Sequence, residues 1–275
     1  MIDFMPEYQK LSASDTGLCE HGNFLPCEIC DEQKTENTSE IDQESPEDRE
    51  LIEILRKECG SPVGGAENMP VVSYEAVMKE FGTTDLKIIT ESEKYKQMLE
   101  KGFVLGSGEE RIYDGKKPGQ TIESKEPSNT HLGVDYMLKE GVDIGVIADG
   151  EIIDIRKPED FVSDVDKLNL YKGEGGYGNM ILVKHKLGNG KEIYSLYGHL
   201  ADDNDPEKQF KIGDQIHKGE KIGKVGKSFS AENGGWPSHL HFSIMKNPDD
   251  ISGYGTKDDV KNIIDPVKVF KNRGK

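Results

Sequence analysis

The chain has 275 residues, 34% of them hydrophobic and 32% charged, with a net charge of −17. That length suits one catalytic domain plus an appendage. The acidity argues against a nucleic-acid partner, because phosphate binding depends on Lys and Arg, and no apolar run reaches the ~18 residues of a membrane span. Residues 1–60 hold 16 acidic and 5 basic side chains, leaving 36 and 30 for the remainder, so most of the charge imbalance is N-terminal. The first residues lack the basic and then apolar pattern of a secretory signal. The expectation is a cytoplasmic protein, with export by a route not readable from the sequence as the alternative.

In chain order, residues 1–31 form a Cys/His-rich segment. Cys19 and His21 are followed by Cys27 and Cys30, in the order C-x-H, five residues, C-x-x-C. This spacing suits a structural zinc ion held by three thiolates and an imidazole, which could order a segment too small to fold alone. Reduced thiols, or disulfides that include Cys59, remain open as alternatives. Such a segment could also serve as an adaptor for a protein partner. Residues 32–45 read as an acidic flexible linker, with too little apolar surface to offset the entropy of ordering.

Residues 46–103 read as a small helical region. Ser45-Pro46 starts a first helix that Gly60 stops, with Leu51, Ile52, Leu55 and Cys59 on its buried face. Ser73 and Gly82 bracket a second helix. A third is expected from Thr90, paired with Glu93 at capping-box spacing, to about Lys101.

Residues 104–275 change to short β-prone runs: Val146–Ile155, Met180–His185, Glu192–Tyr197, Lys221–Val225 and Leu240–Met245. Glycine-rich turns separate them, which predicts a mainly β domain built on an antiparallel sheet.

Within this domain, His131 and Asp135 have equal parity in an extended segment, so both side chains are expected on one face. His239 and His241 share a face of a later strand, with Leu240 and Phe242 on the other. Zinc hydrolases use three protein ligands and keep a fourth position for water. His131, Asp135 and one histidine of the pair meet that need, and the other histidine suits a general base or a transition-state donor. His199, beside Gly198, suits a second role off the metal. His185 reads as a structural hydrogen-bonding residue lining the groove, His217 as solvent-facing, Trp236 equally as a substrate-subsite residue or a packing wedge, Asp202–Asp205 as a solvated turn, and Gly175–Gly178 as a turn that lets substrate backbone approach.

These motifs, His131 to Asp135, Tyr197 to Leu200 and His239 to Phe242, resemble those of the lysostaphin and LytM type of zinc endopeptidase, metallopeptidase family 23. The resemblance runs over roughly residues 104–270. It implies that His131, Asp135 and His241 bind one catalytic zinc, that His239 is the general base, and that His199 stabilises the oxyanion. The implied reaction is hydrolysis of a peptide bond in peptidoglycan or a glycine-rich peptide. A latent or non-enzymatic binding module, with the N-terminal zinc segment as adaptor, is the alternative. One departure is that Asn233-Gly234-Gly235-Trp236-Pro237-Ser238 stands where many relatives read Ser-Thr-Gly-Pro.

Overall fold

A computed structural model describes residues 44–83, 85–109, 130–158, 176–202, 210–248 and 253–271. The described residues all lie in one compact unit, Glu44–Lys275. Cys19, His21, Cys27 and Cys30 therefore lie outside the described residues.

Helix α1 (Pro46–Glu58) is capped as its sequence predicts, the Ser45 side chain accepting from the Asp48 N–H. Strand β1 (Val71–Val72) precedes helix α2 (Tyr74–Phe81), which runs from its Ser73 cap to a left-handed Gly82. The expected third helix is two pieces, α3 (Leu86–Glu91) and α4 (Glu93–Lys101). The cap of α4 is Ser92 rather than Thr90, because the Ser92 hydroxyl reaches the Tyr95 N–H.

The strands that follow are β2 (Phe103–Leu105), β3 (Thr130–His131), β4 (Val134–Met137), β5 (Asp143–Gly145), β6 (Gly150–Arg156), β7 (Asn179–Lys186) and β8 (Glu192–Leu200). Then come β9 (Gln215–Ile216), β10 (Lys221–Lys224), β11 (His239–Met245), β12 (Tyr254–Gly255), β13 (Ile263–Ile264) and helix α5 (Pro266–Phe270). Among the described residues, nine strands form the main sheet, in the order β1-β2-β4-β11-β8-β7-β6-β9, with β13 also on β11. All its pairings are antiparallel except β1 with β2. The fold is mainly β, as expected.

The two faces of the sheet follow from its period of two. Val134, Tyr136, Tyr197, Leu240, Phe242 and Ile244 point to one side and join a core with Leu51, Ile52 and Leu55 of α1 and Val269 and Phe270 of α5. Burying each such side chain contributes roughly 1.5–3 kcal/mol. The opposite face carries Asp135, His239, His241 and Ser243. Next to them lies a smaller apolar cluster of Tyr177, Met180, Leu182, Leu196 and Met245.

One core contact is polar. His185 is fully buried and shares the parity of Ile181 and Val183, so it sits in the core rather than in the groove. Its Nδ1–H donates to the Asp149 carbonyl at 3.0 Å, and its Nε2 lies 2.7 Å from Ser195 Oγ, which contacts the Tyr197 hydroxyl at 3.1 Å. Burial pushes the His185 imidazole below its ordinary value, partly opposed by hydrogen bonds to the Asp149 and Ala148 backbones and by the Asp149 charge. The unfolded chain therefore takes up a proton that the folded chain resists. This contribution is intact above about pH 6.5, the unfolded value, and declines as pH falls towards the lower folded value. Urea titrations at pH 7.5 and pH 5 should show a smaller acid loss of stability in His185→Gln than in the unmodified protein. Equal losses would remove His185 as the cause.

Candidate active site

The sheet register places His241 directly opposite Asp135 on β4 and Gly198 on β8. His131 reaches the same point by a different route. In an unbroken strand, residues four apart stand about 13 Å apart along the chain, so shared parity alone could not bring His131 to Asp135. The chain instead breaks at Leu132-Gly133, leaving β3 paired with β12 while β4 joins the main sheet. Gly133 permits this because a Cβ there would stand 2.4 Å from Ser243 Oγ and 2.8 Å from both His241 Nε2 and the Phe242 carbonyl.

The outcome is a tight triangle. His131 Nε2 lies 3.0 Å from His241 Nδ1 and 3.2 Å from Asp135 Oδ1, and His241 Nδ1 lies 3.1 Å from Asp135 Oδ1. Each ring is held from behind. His131 Nδ1–H donates to the Gly106 carbonyl at 3.2 Å. His241 Nε2–H donates to Ser243 Oγ at 3.1 Å, whose own proton goes to the Leu132 carbonyl at 2.6 Å. These bonds assign the tautomers, so each ring turns a lone pair towards the carboxylate. Three acceptors aimed at one point repel one another unless a cation lies between them. Donor atoms at the corners of a tetrahedral zinc site with ~2.05 Å bonds stand about 3.3 Å apart. The triad fits zinc in both donor chemistry and spacing, and it is the group of His and Asp residues suited to a metal among the described residues.

His239 and His199 stand beside the triangle. The His239 Nδ1–H donates to the Pro237 carbonyl at 2.7 Å, and Nε2 lies 3.6 Å from Asp135 Oδ1. The His199 Nδ1–H donates to the Asn233 carbonyl at 3.0 Å. The two ring centroids are 4.2 Å apart.

His199 arrives there through a β-bulge. Leu200 pairs with Asn179 and Gly198 with Met180, leaving His199 as the extra residue, with a left-handed φ of 62°. Regular alternation after core-facing Tyr197 would have sent His199 into the core and Leu200 out of it. The bulge reverses both, and Leu200 is a core residue. Such a backbone in a non-glycine residue costs about 1–3 kcal/mol and persists where the surroundings enforce it. Burial first, then the nearby His239 and His241 rings, holds the His199 imidazole well below its ordinary value, opposed by Asp135 and the bond to Asn233. Neutral His199 with its Nδ1 proton committed to Asn233 offers Nε2 as an acceptor. Donation to an oxyanion requires a second proton.

Four further groups shape the site without having been picked out from the sequence. Ser243 continues the parity of His239 and His241, so a polar residue in that otherwise apolar run was a readable signal. The Tyr177 ring lies 5.0 Å from the His241 ring and 6.1 Å from that of His199. Tyr254 lies 5.4 Å from His131. The Gly106 carbonyl gives no sequence signal at all. The close approach at Gly178 is made by the chain itself: a Cβ there would stand 2.0 Å from the Glu232 carbonyl. Trp236 donates from Nε1 to the Gly176 carbonyl, and His217 is exposed beside Asp149.

Residues 129–252 match the model of peptidase family M23. Among solved structures, the chain is similar to the catalytic domain of lysostaphin from Staphylococcus simulans, with 21% identity over 62% of this chain and 93% of that one and a TM-score of 0.36. It is similar to a zinc-containing peptidase from Vibrio cholerae, with 17% identity over 56% of this chain and 34% of the other and a TM-score of 0.30. It is also similar to a putative M23 peptidase from Pseudomonas aeruginosa, with 21% identity, coverages of 56% and 49% and a TM-score of 0.31. The chain thus spans half or less of the length of the last two. No curated protein matches. His131, Asp135, His199, His239 and His241 all fall inside residues 129–252, the segment of the chain that is similar to peptidase family M23.

Proposed function

We propose that the protein is a zinc-dependent endopeptidase that cleaves a peptide bond in peptidoglycan or in a glycine-rich peptide. The observation that carries this reading is the convergence of three lone pairs, from His131, Asp135 and His241, at 3.0–3.2 Å. Zinc held there would polarise the scissile carbonyl and lower the pKa of water.

The chain's own residues handle the proton. Neutral His239 and His199 each have Nδ1 tied to a backbone carbonyl, so Nε2 of either can accept a proton from the attacking water. As the water oxygen bonds to the carbonyl carbon, His239 takes the proton, and Asp135 Oδ1 at 3.6 Å favours the resulting imidazolium. The same proton then passes to the amine nitrogen as the C–N bond breaks. His199 stabilises the oxyanion in whichever state carries its second proton.

A second reading, a latent binding module, is favoured by one observation: all five residues are buried, with His239 the most open at 6%. One experiment separates the two. The full-length zinc-loaded protein is incubated with purified peptidoglycan and with pentaglycine, and products are read by mass. Cleavage that adds one water, stops with chelator and returns with zinc is the expected result. Retention of intact substrate by zinc-replete protein would replace the enzyme reading with the binding one.

A further inference from the structure

The family match begins at residue 129, yet a hydrogen bond that sets the site comes from before it. The short strap Gly106–Glu109 grips His131 at three points. Gly108 N–H donates to the His131 carbonyl at 2.8 Å, the His131 N–H donates to the Glu109 carbonyl at 2.9 Å, and the His131 Nδ1–H donates to the Gly106 carbonyl at 3.2 Å. The strap is in turn held by the Glu109 side chain. Its Oε2 accepts from the Tyr74 N–H at 3.0 Å, at the first residue of α2. Helix N-termini have spare N–H groups and favour negative charge, so the carboxylate is well placed. It also lies back over the strap, since a Cβ on Gly106 would meet Glu109 Oε1 at 3.3 Å.

We propose that Glu109 is a positioning residue for His131. By fastening the strap to α2, it keeps the Gly106 carbonyl where it selects the tautomer that turns Nε2 towards Asp135 and His241. Hydrogen-bond partners behind a ligand ring commonly change metal affinity by 10–100-fold. The consequence for zinc rests on the metallopeptidase reading, whereas the ring tautomer is a property of the metal-free protein and does not.

The test uses the full chain with Glu109→Ala, Glu109→Gln and Glu109→Asp. Long-range proton–nitrogen correlation on zinc-free protein reads the His131 tautomer, and competition with a chromophoric chelator reads zinc affinity. The unmodified protein and Glu109→Gln should show the Nδ1–H form and agree in affinity within about threefold. Glu109→Ala should show mixed tautomers and bind zinc about 10–100-fold more weakly. Glu109→Asp, one methylene too short for Tyr74, should shift the same way and carries the comparison if the alanine variant does not fold. A pure Nδ1–H tautomer together with unchanged zinc affinity in the shortened variants overturns the proposal. Absence of zinc binding by the unmodified protein overturns the metallopeptidase reading instead, and the tautomer comparison still decides the role of Glu109.

Discussion

His131→Ala is expected to lose zinc at a stoichiometry measurable by metal analysis, while His239→Ala keeps zinc and loses about 10²–10⁴-fold in turnover. The difference follows from the geometry. His131 Nε2 belongs to the triangle of 3.0–3.2 Å contacts, so removing its ring leaves one imidazole and one carboxylate, too few for a three-ligand site. His239 Nε2 stands 3.6 Å from Asp135 Oδ1, and its other nitrogen is committed to Pro237, so its loss leaves the triangle complete. Zinc content and hydrolysis measured on the same preparations decide the matter. Zinc-replete His239→Ala with full activity would remove His239 as the base and leave His199, whose Nε2 is also an acceptor.

The second large effect is expected from a single methyl group. Gly133→Ala places a Cβ 2.4 Å from Ser243 Oγ and 2.8 Å from His241 Nε2, where real Cβ atoms do not sit. Either the bend between β3 and β4 opens, separating His131 from Asp135, or Ser243 and His241 move. Overpacking of this kind costs about 1–3 kcal/mol, and here the strain falls on the proposed metal ligands. The variant should unfold at lower urea and bind zinc more weakly. Gly145→Ala is the control, because its Cβ would meet nothing closer than 3.6 Å and its stability should change little. If Gly133→Ala matches that control in both measurements, the bend is not what builds the site.

The residue types of the site could be read from the sequence, while their approach to one another could not. Alternation in His239–Met245 correctly separates the groove face from the core face, because β11 is regular throughout and buried on both sides. The same logic fails twice. Parity puts His131 and Asp135 on one face, but the bend at Gly133 is what brings them together, and a bend needed to clear Ser243 depends on a strand a hundred residues away. Parity also points His199 into the core, and only the extra residue in the ladder redirects it. Local signals fared better for the helices. Ser45 and Ser73 cap where expected, while the Thr90–Glu93 capping spacing was outcompeted by Ser92, two residues closer to Tyr95. The Gly106 carbonyl was beyond reach, since every residue offers the same backbone acceptor and only the tertiary path selects it.

The bulge at His199 also determines which genetic changes the site can survive. A point substitution at Gly198 or Leu200 alters one contact and leaves the ladder's count intact. Gain of a single codon between Asn179 and Met180 on β7 would give His199 a ladder partner, restore regular alternation and exchange the places of histidine and leucine. A charged-capable ring would then enter the hydrocarbon core while an aliphatic side chain entered the site. At this position, evolutionary tolerance is governed by length before it is governed by chemistry.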